Sequence, residues 1–228
     1  MGNRVVVQAP DPVPTPPSAQ DQEQALVNSN STIECLDNAA RDLLFAGART
    51  VNNFASTPVS DDELAKIWEM ARWAPTAANS QPMRVQFVRT DEGRRRLLEH
   101  LDEGNREKTA SAPVTAILAG DSEFHEHLPR LLPIRPQIRE IFADNDALRE
   151  RTGNFNAALQ AGYFILAIRA AGLAAGRWPA STPAGMDTEF FSGTTWRSIL
   201  VVNIGHPGEN PWFERLPRLD PAETVRWA

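Results

Sequence analysis

Apolar residues recur along this chain at helical and strand spacings, and the switches between them divide it into elements. Ser31-Thr32-Ile33-Glu34 has the pattern of a capping box, and Leu36, Ala40, Leu43 and Leu44 then share one helical face. Gly47 follows as a candidate left-handed cap. Ser60-Asp61-Asp62-Glu63 is a second capping box, ahead of Leu64, Ile67, Trp68 and Ala71. Pro75 is the expected stop of that helix, because proline disfavours the α conformation at Ala74, and Pro82 is expected to keep Gln81 extended on the way into a strand at 85–88. Thr90 or Asp91 can cap a helix carrying Leu97, Leu98 and Leu101 that closes near Gly104.

The run 114–119 is almost continuously apolar, as suits a central strand buried on both faces. Residues 121–155 have a different texture, with Pro129, Pro133 and Pro136, many arginines and few periodic apolar positions, and read as a mobile excursion over a site. The stretch 157–171 is apolar almost all the way round before Gly172, which predicts a helix buried on most sides in the core or against a partner subunit. Another buried strand is expected at 199–205, and Asp220, Pro221 and Glu223 start a last helix. The sum is an α+β domain over 31–228, helices wrapped round a mainly buried sheet of three or more strands. Residues 1–30, rich in Pro, Gln, Ser and Asp, read as a disordered or surface-draped extension.

Composition narrows the function more by exclusion than by pointing. A formal charge of −6 disfavours nucleic acid or an anionic membrane as the main partner, since phosphate affinity needs clustered Lys and Arg. Cys35 is the 1 cysteine, so an intrachain disulfide or cysteine-cluster metal site is excluded and a reducing cytoplasm is the natural compartment. No apolar run approaches membrane-spanning length. Gly-x-Gly-x-x-Gly, P-loop, Gly-x-Ser-x-Gly and His-Glu-x-x-His motifs are all missing. His125-Glu126-His127 reads as a solvated polar segment, because no further ligand is evident to close a metal site.

The stretch around which the chain is organised is 74–84, where two prolines bracket small and amide side chains between a helix and a strand. Small residues at 76–78 allow close approach to the backbone, and Asn79 and Gln81 offer donors and acceptors to a flat heteroaromatic ligand. An ordinary capping loop fits the same residues. Arg49, Thr50 and Asn52 follow the first helix, Asn105 and Lys108 stand at i, i+3, and Arg215 and Arg218 flank a Leu-Pro; each alone is an ordinary surface feature.

Together these groups carry a resemblance. Arg49-Thr50-Val51-Asn52-Asn53-Phe54 and Ala74-Pro75-Thr76-Ala77-Ala78-Asn79-Ser80-Gln81-Pro82 resemble the two opening motifs of the FMN-dependent nitroreductase family, and Asn105-Arg106-Glu107-Lys108 before Ala112-Pro113-Val114 is similar to its third flavin element. Asp187-Thr188-Glu189-Phe190-Phe191, Val202-Asn203-Ile204-Gly205 and Arg215-Leu216-Pro217-Arg218-Leu219 resemble the branch of malonic semialdehyde reductases and their haloacid-pathway relatives. The resemblance runs from about residue 43 to the end. It implies a homodimer with FMN at each subunit interface, reduced by NADH or NADPH and reoxidised by a small-molecule substrate.

By position, the resemblance puts Arg49, Arg215 and Arg218 on the FMN phosphate, where guanidinium forks suit the oxygens, and adds the Thr50 hydroxyl. Asn52 would face the ribityl or pyrimidine edge, and Asn105 and Lys108 the pyrimidine end of the ring, where a cation tunes the potential. Pro75, Thr76, Ala77 and Asn79 would come from the neighbouring subunit. No side chain need be a general acid. Where the family has a Gly-Pro-Met-Ser-Gly-Phe loop with backbone donors to the flavin, this chain reads Gly176-Arg177-Trp178-Pro179-Ala180-Ser181. Pro179 has no N–H to give, so either Ala180 supplies the remaining donor or the flavin N5 is left without its usual partner. Phe155 and Ile199 stand where close relatives carry Arg and Asn, and Trp178 favours a larger, flatter substrate. Two other readings follow: a specialised flavin oxidase or dehydrogenase on a natural-product intermediate, and a flavin-less homodimer serving as a binding or scaffold protein.

Overall fold

The computed structural model describes residues 34–179 and 182–228, and the chain divides into two compact units at Asp37/Asn38. The first capping box lies mainly outside the described residues, as does the expected N-terminal extension. Helix α1 (Asn38–Arg41) passes directly into a π-helical turn, Asp42–Ala46. Gly47 is not left-handed but has φ −77°; its N–H donates to the Asp42 carbonyl at 2.7 Å, and a Cβ there would lie 2.6 Å from an Asp42 carboxylate oxygen. Glycine serves here for space rather than for backbone freedom.

The second capping box forms as expected: the Ser60 hydroxyl accepts from the Glu63 N–H, and the Glu63 carboxylate accepts from the Ser60 N–H at 2.8 Å. Hydrogen bonds from the Ser60 backbone and hydroxyl hold the Glu63 carboxyl below its ordinary pKa. Helix α2 (Asp61–Ala71) buries Leu64, Ile67 and Ala71, but ends three residues before Ala74, in a tight turn over Arg72–Ala74, so Pro75 follows the stop rather than making it. Strand β1 (Met83–Val88) leads to α3 (Asp91–Leu98), whose cap is Thr90. The expected closure at Gly104 does not occur there: α3 stops at Leu98, and a separate helix, α4 (Glu103–Ser111), runs through Gly104. Strand β2 (Val114–Asp121) is the buried central strand the apolar run predicts.

Residues 121–155 are ordered helical structure, not a mobile excursion. A 3-10 turn at Phe124–His127, α5 (Leu128–Leu131) and α6 (Ile138–Ala143) close over a cluster of Phe124, Leu128 and Phe142, with the rings of Phe124 and Phe142 5.3 Å apart edge to face. The prolines break the periodicity into pieces too short for a pattern to register. Helix α7 (Asp146–Ala170) starts eleven residues earlier than its apolar stretch, capped by Asn145. It buries one side only, through Ala157, Phe164 and Ile168 among others, while Phe155, Leu159 and Tyr163 remain exposed. Strand β3 (Ala174–Trp178), α8 (Pro183–Phe190), β4 (Trp196–Gly205) and the short capped α9 (Pro221–Thr224) complete the chain.

The sheet is antiparallel throughout in the order β1-β2-β4-β3. Alternation splits its residues between two layers. Ala116, Leu118, Val202 and Ile204 face α2 and α7 with Leu64, Ile67 and Phe164; Ile117, Ala119 and Val201 face Leu97, Leu101, Met186 and Phe191. No sequence pattern predicts strand β3. Its Ala-Ala-Gly start has weak strand propensity, and the strand exists because β4 offers an edge to pair with.

Candidate functional site

Two parts of the molecule hold the predicted residues, at opposite edges of the sheet. At the β1 edge, Ala77–Asn79 makes a 3-10 turn; Ala78 and Asn79 within it and Gln81 beyond it have positive φ, of 55°, 50° and 43°. Gln81 is therefore left-handed rather than extended. Such conformations cost about 1–3 kcal/mol each in non-glycine residues and persist only where the surroundings over-determine them. Helix α7 supplies that constraint: Asn156 accepts from the Ala77 N–H at 2.7 Å and Gln160, one turn on, from the Met83 N–H at 2.9 Å. Within the loop, the Thr76 hydroxyl accepts from the Gln81 N–H at 3.2 Å, and the Asn79 amide donates to the Leu131 carbonyl at 2.8 Å. Ser80 is buried with its hydroxyl unpartnered. Gln160→Leu leaves the buried Met83 N–H without an acceptor and is expected to cost about 1–2 kcal/mol in chemical unfolding, with faster hydrogen exchange confined to 76–83.

At the β3 edge, the segment after the π turn lies against the sheet. The Val51 N–H donates to the Ala175 carbonyl at 3.1 Å, the Asn52 N–H to Pro211 at 3.0 Å and the Ala55 N–H to His206 at 2.9 Å. A cavity of about 970 Å³ opens beside it, lined by Arg49, Thr50, Asn52, Lys108, Arg215 and Arg218. These residues, spread over 170 positions, are brought together in one cavity. Asn105 stands one turn before Lys108 on α4, half-buried, and is not part of the wall. Pro75, Thr76, Ala77 and Asn79 belong to the other edge, and Ala180 lies outside the described residues.

The cavity is cationic with an aromatic floor. Its lining includes the cations Arg49, Lys108, Arg169, Arg215 and Arg218 and a single carboxylate, Glu214. Arg215 donates to the Ala46 carbonyl at 2.5 Å and Arg218 to the Leu216 carbonyl at 2.9 Å, so main-chain acceptors hold both forks in place. The Lys108 ammonium sits 4.4 Å from the Trp178 ring centroid and 5.8 Å from that of Phe213. Trp178 buries its indole N–H without an acceptor. Arg169, which the sequence reading missed, donates to the Leu44 carbonyl at 3.5 Å, and its partial burial lowers its pKa from the ordinary value. A charge near the end of an otherwise apolar helix was the available signal. Phe213 and Glu214 carried none.

His125 is not solvated but 2% exposed, with Nε2 3.4 Å from Glu126 and 3.6 Å from Glu123. Its donor atom and the two carboxylates lie within 4.8 Å of one another, the spacing of a possible metal group. Arginines already serve both carboxylates. Arg139 forks onto Glu126 at 2.6 and 3.0 Å, which holds that carboxyl below its ordinary pKa, and Arg149 lies 3.8 Å from Glu123. The cluster ties the turn at 124–127 to α6 and α7.

A model described as the nitroreductase family matches residues 46–206. A Streptomyces coelicolor protein with the provisional name NADH dehydrogenase/NAD(P)H nitroreductase is 61% identical over 185 residues, 81% of this chain and 92% of the relative. Among solved structures, a protein from Exiguobacterium sibiricum with the provisional name nitroreductase, in complex with FMN, matches at TM-score 0.74 and 16% identity over 86% of this chain and 100% of that one. A Staphylococcus epidermidis protein with the provisional name NAD(P)H:FMN oxidoreductase matches at TM-score 0.71 and 17% identity over 86% of this chain and 100% of that one. At these identities the structural likeness is one of fold.

Proposed function

The chain belongs to the nitroreductase family, and from that premise we propose how its residues hold a cofactor and what it acts on. It is an FMN-dependent NAD(P)H oxidoreductase. The observation that carries the site assignment is the meeting of a cationic wall and an aromatic floor in one cavity of about 970 Å³, near the upper end for cofactor sites. A phosphate dianion on a planar ring needs both. Arg49, Arg215 and Arg218, with Thr50, hold the phosphate; guanidinium forks donate two parallel bonds to its oxygens. Asn52 offers its amide to the ribityl chain or pyrimidine edge. Lys108, with Asn105 behind it, places positive charge at the ring. Bound FMN supplies the hydride chemistry, taking electrons from NADH or NADPH and passing them to the substrate.

Pro75, Thr76, Ala77 and Asn79 precede β1, at the sheet edge opposite β3, so a second copy of the chain is what brings them to the cavity. The homodimer also gives cover to Phe155, Leu159 and Tyr163 along α7. Among the described residues no helix is long and apolar enough to cross a membrane, and with Cys35 as the 1 cysteine a cytoplasmic enzyme is the compartment we favour.

For the substrate, the branch resemblance supports a small anionic carbonyl compound such as malonic semialdehyde, which a cationic cavity attracts. Trp178 and Phe213 favour a flat aromatic acceptor instead. β3 ends at Trp178, and Pro179 beyond it has no N–H for the ring. The deciding experiment is a visible spectrum of purified protein loaded with FMN and freed of excess, then treated anaerobically with each nicotinamide and each acceptor class. A stoichiometric flavin band that bleaches with one nucleotide and recovers with an acceptor is expected. A colourless protein after loading overturns the site assignment.

A further inference from the structure

Helix α4 carries Lys108 to the cavity, yet it has almost no apolar grip on the rest of the molecule: the buried residue it contributes is Thr109. That side chain enters a closed polar row on the sheet. The Asn203 amide donates to the Thr109 hydroxyl at 3.0 Å, and the Thr115 hydroxyl donates to the Asn203 carbonyl oxygen at 3.0 Å. Thr109 and Asn203 are 0% exposed and Thr115 3%. Thr115 and Asn203 are direct cross-strand partners, and Asn203 also pairs with Gly176 of β3, two residues before Trp178. The row therefore joins α4, β2, β4 and the strand that carries the aromatic floor.

From this we infer that Asn203, acting through Thr109, is a positioning residue that sets the rotation of α4 and so seats the Lys108 ammonium over the Trp178 ring. The helix is held at its C-terminal end by other means, the Arg94 fork to the Ala110 carbonyl at 2.7 Å and the Ser111 hydroxyl accepting from the Phe54 N–H at 3.3 Å. Those contacts fix where the helix ends. A buried donor–acceptor pair is directional, and loss of either partner leaves the other unsatisfied in a dry interior. Turning α4 by even part of a turn would swing Lys108, which neighbours Thr109, off the ring.

The inference rests on the FMN reading for its consequence but not for its test, because the sequence has only two lysines, Lys66 and Lys108. In flavin-free protein with labelled lysine, the ring currents of Trp178 and Phe213 are expected to shift the Lys108 ε-CH₂ resonance, and Lys66→Arg assigns it. Thr109→Val, which keeps the shape and deletes the hydroxyl, is expected to move that resonance toward the unperturbed position, whereas Thr109→Ser keeps it in place. With FMN, Thr109→Val is expected to weaken affinity several-fold, on the order of a hydrogen bond's worth, and to alter the flavin midpoint potential. Both effects should vanish when Lys108→Ala is the background.

An unmoved lysine resonance in Thr109→Val overturns the inference, as do effects on affinity and potential that are the same whether or not the Lys108→Ala substitution is present. Failure of the wild-type protein to take up FMN bears on the cofactor reading and leaves the lysine measurement decisive. Asn203→Leu, which removes the other partner, is expected to move the resonance in the same direction, and if it does not fold the threonine pair still gives the answer.

Discussion

Gly176→Ala is expected to destabilise the protein by about 3 kcal/mol, at the upper end for overpacking, and to weaken FMN binding at the same time. A Cβ at Gly176 would stand 2.5 Å from the Val51 carbonyl oxygen, with Phe54 and Trp178 ring atoms each at 3.6 Å. The blocking atom is backbone and cannot rotate away. Relief requires the 49–52 segment to lift, and the Val51 N–H bond to Ala175 would have to break or stretch with it. Arg49 and Thr50, which we propose to bind the phosphate, ride on that segment, so stability and affinity should fall together. A denaturation midpoint with unchanged slope, read beside an FMN titration, checks both. A stable variant with native affinity would mean that the segment is free to shift and is not what places Arg49.

Arg49→Ala is expected to weaken FMN binding by about 1.5–3 kcal/mol, the range for hydrogen bonds to a charged group. Arg215 and Arg218 already donate to main-chain carbonyls, whereas the Arg49 guanidinium has no hydrogen bond or ion pair to another described residue and keeps its whole fork for a ligand. Arg49→Lys keeps the charge but loses the two-pronged geometry, and should fall between wild type and alanine. Titration at low and at high salt separates charge from geometry, because the charge contribution is screened and the directional bonds are much less so. Unchanged affinity in Arg49→Ala would place the phosphate elsewhere along the cationic wall. Thermal stability should hardly move, since Arg49 supports no other described side chain.

Much of the fold is legible in the residues alone. The Ser60 and Asp220 capping boxes, the Thr90 cap and the buried runs of β2 and β4 appear where expected. The α+β class with a buried central sheet holds, and the cationic residues of three separate motifs share one cavity. The errors share a cause. Glycine's backbone freedom suggests helix ends at Gly47 and Gly104, yet one is there to clear the Asp42 carboxylate and the other lies within α4. The proline that follows Gln81 predicts extended backbone, but its neighbours hold it left-handed.

Residues 121–155 lack periodicity because Phe124, Leu128 and Phe142 form their small core across three short elements instead of along one. β3 is invisible for a related reason. Its small residues signal nothing alone, and they suit a strand only once the Val51 carbonyl is known to pack on Gly176. His125 looks solvated at the head of a His-Glu-His run, and its burial follows from where α6 and α7 close.

Caps, alternation and charge act within a turn or a pleat, so the residues themselves settle where helices such as α2, α3 and α9 begin and where the buried strands β2 and β4 run. Pairings between distant segments settle the rest. That Arg169 joins the cavity, that Lys108 lies over Trp178 and that Asn156 and Gln160 hold the 76–83 loop are consequences of long-range packing, because each depends on a partner tens of residues away whose position is set by the sheet.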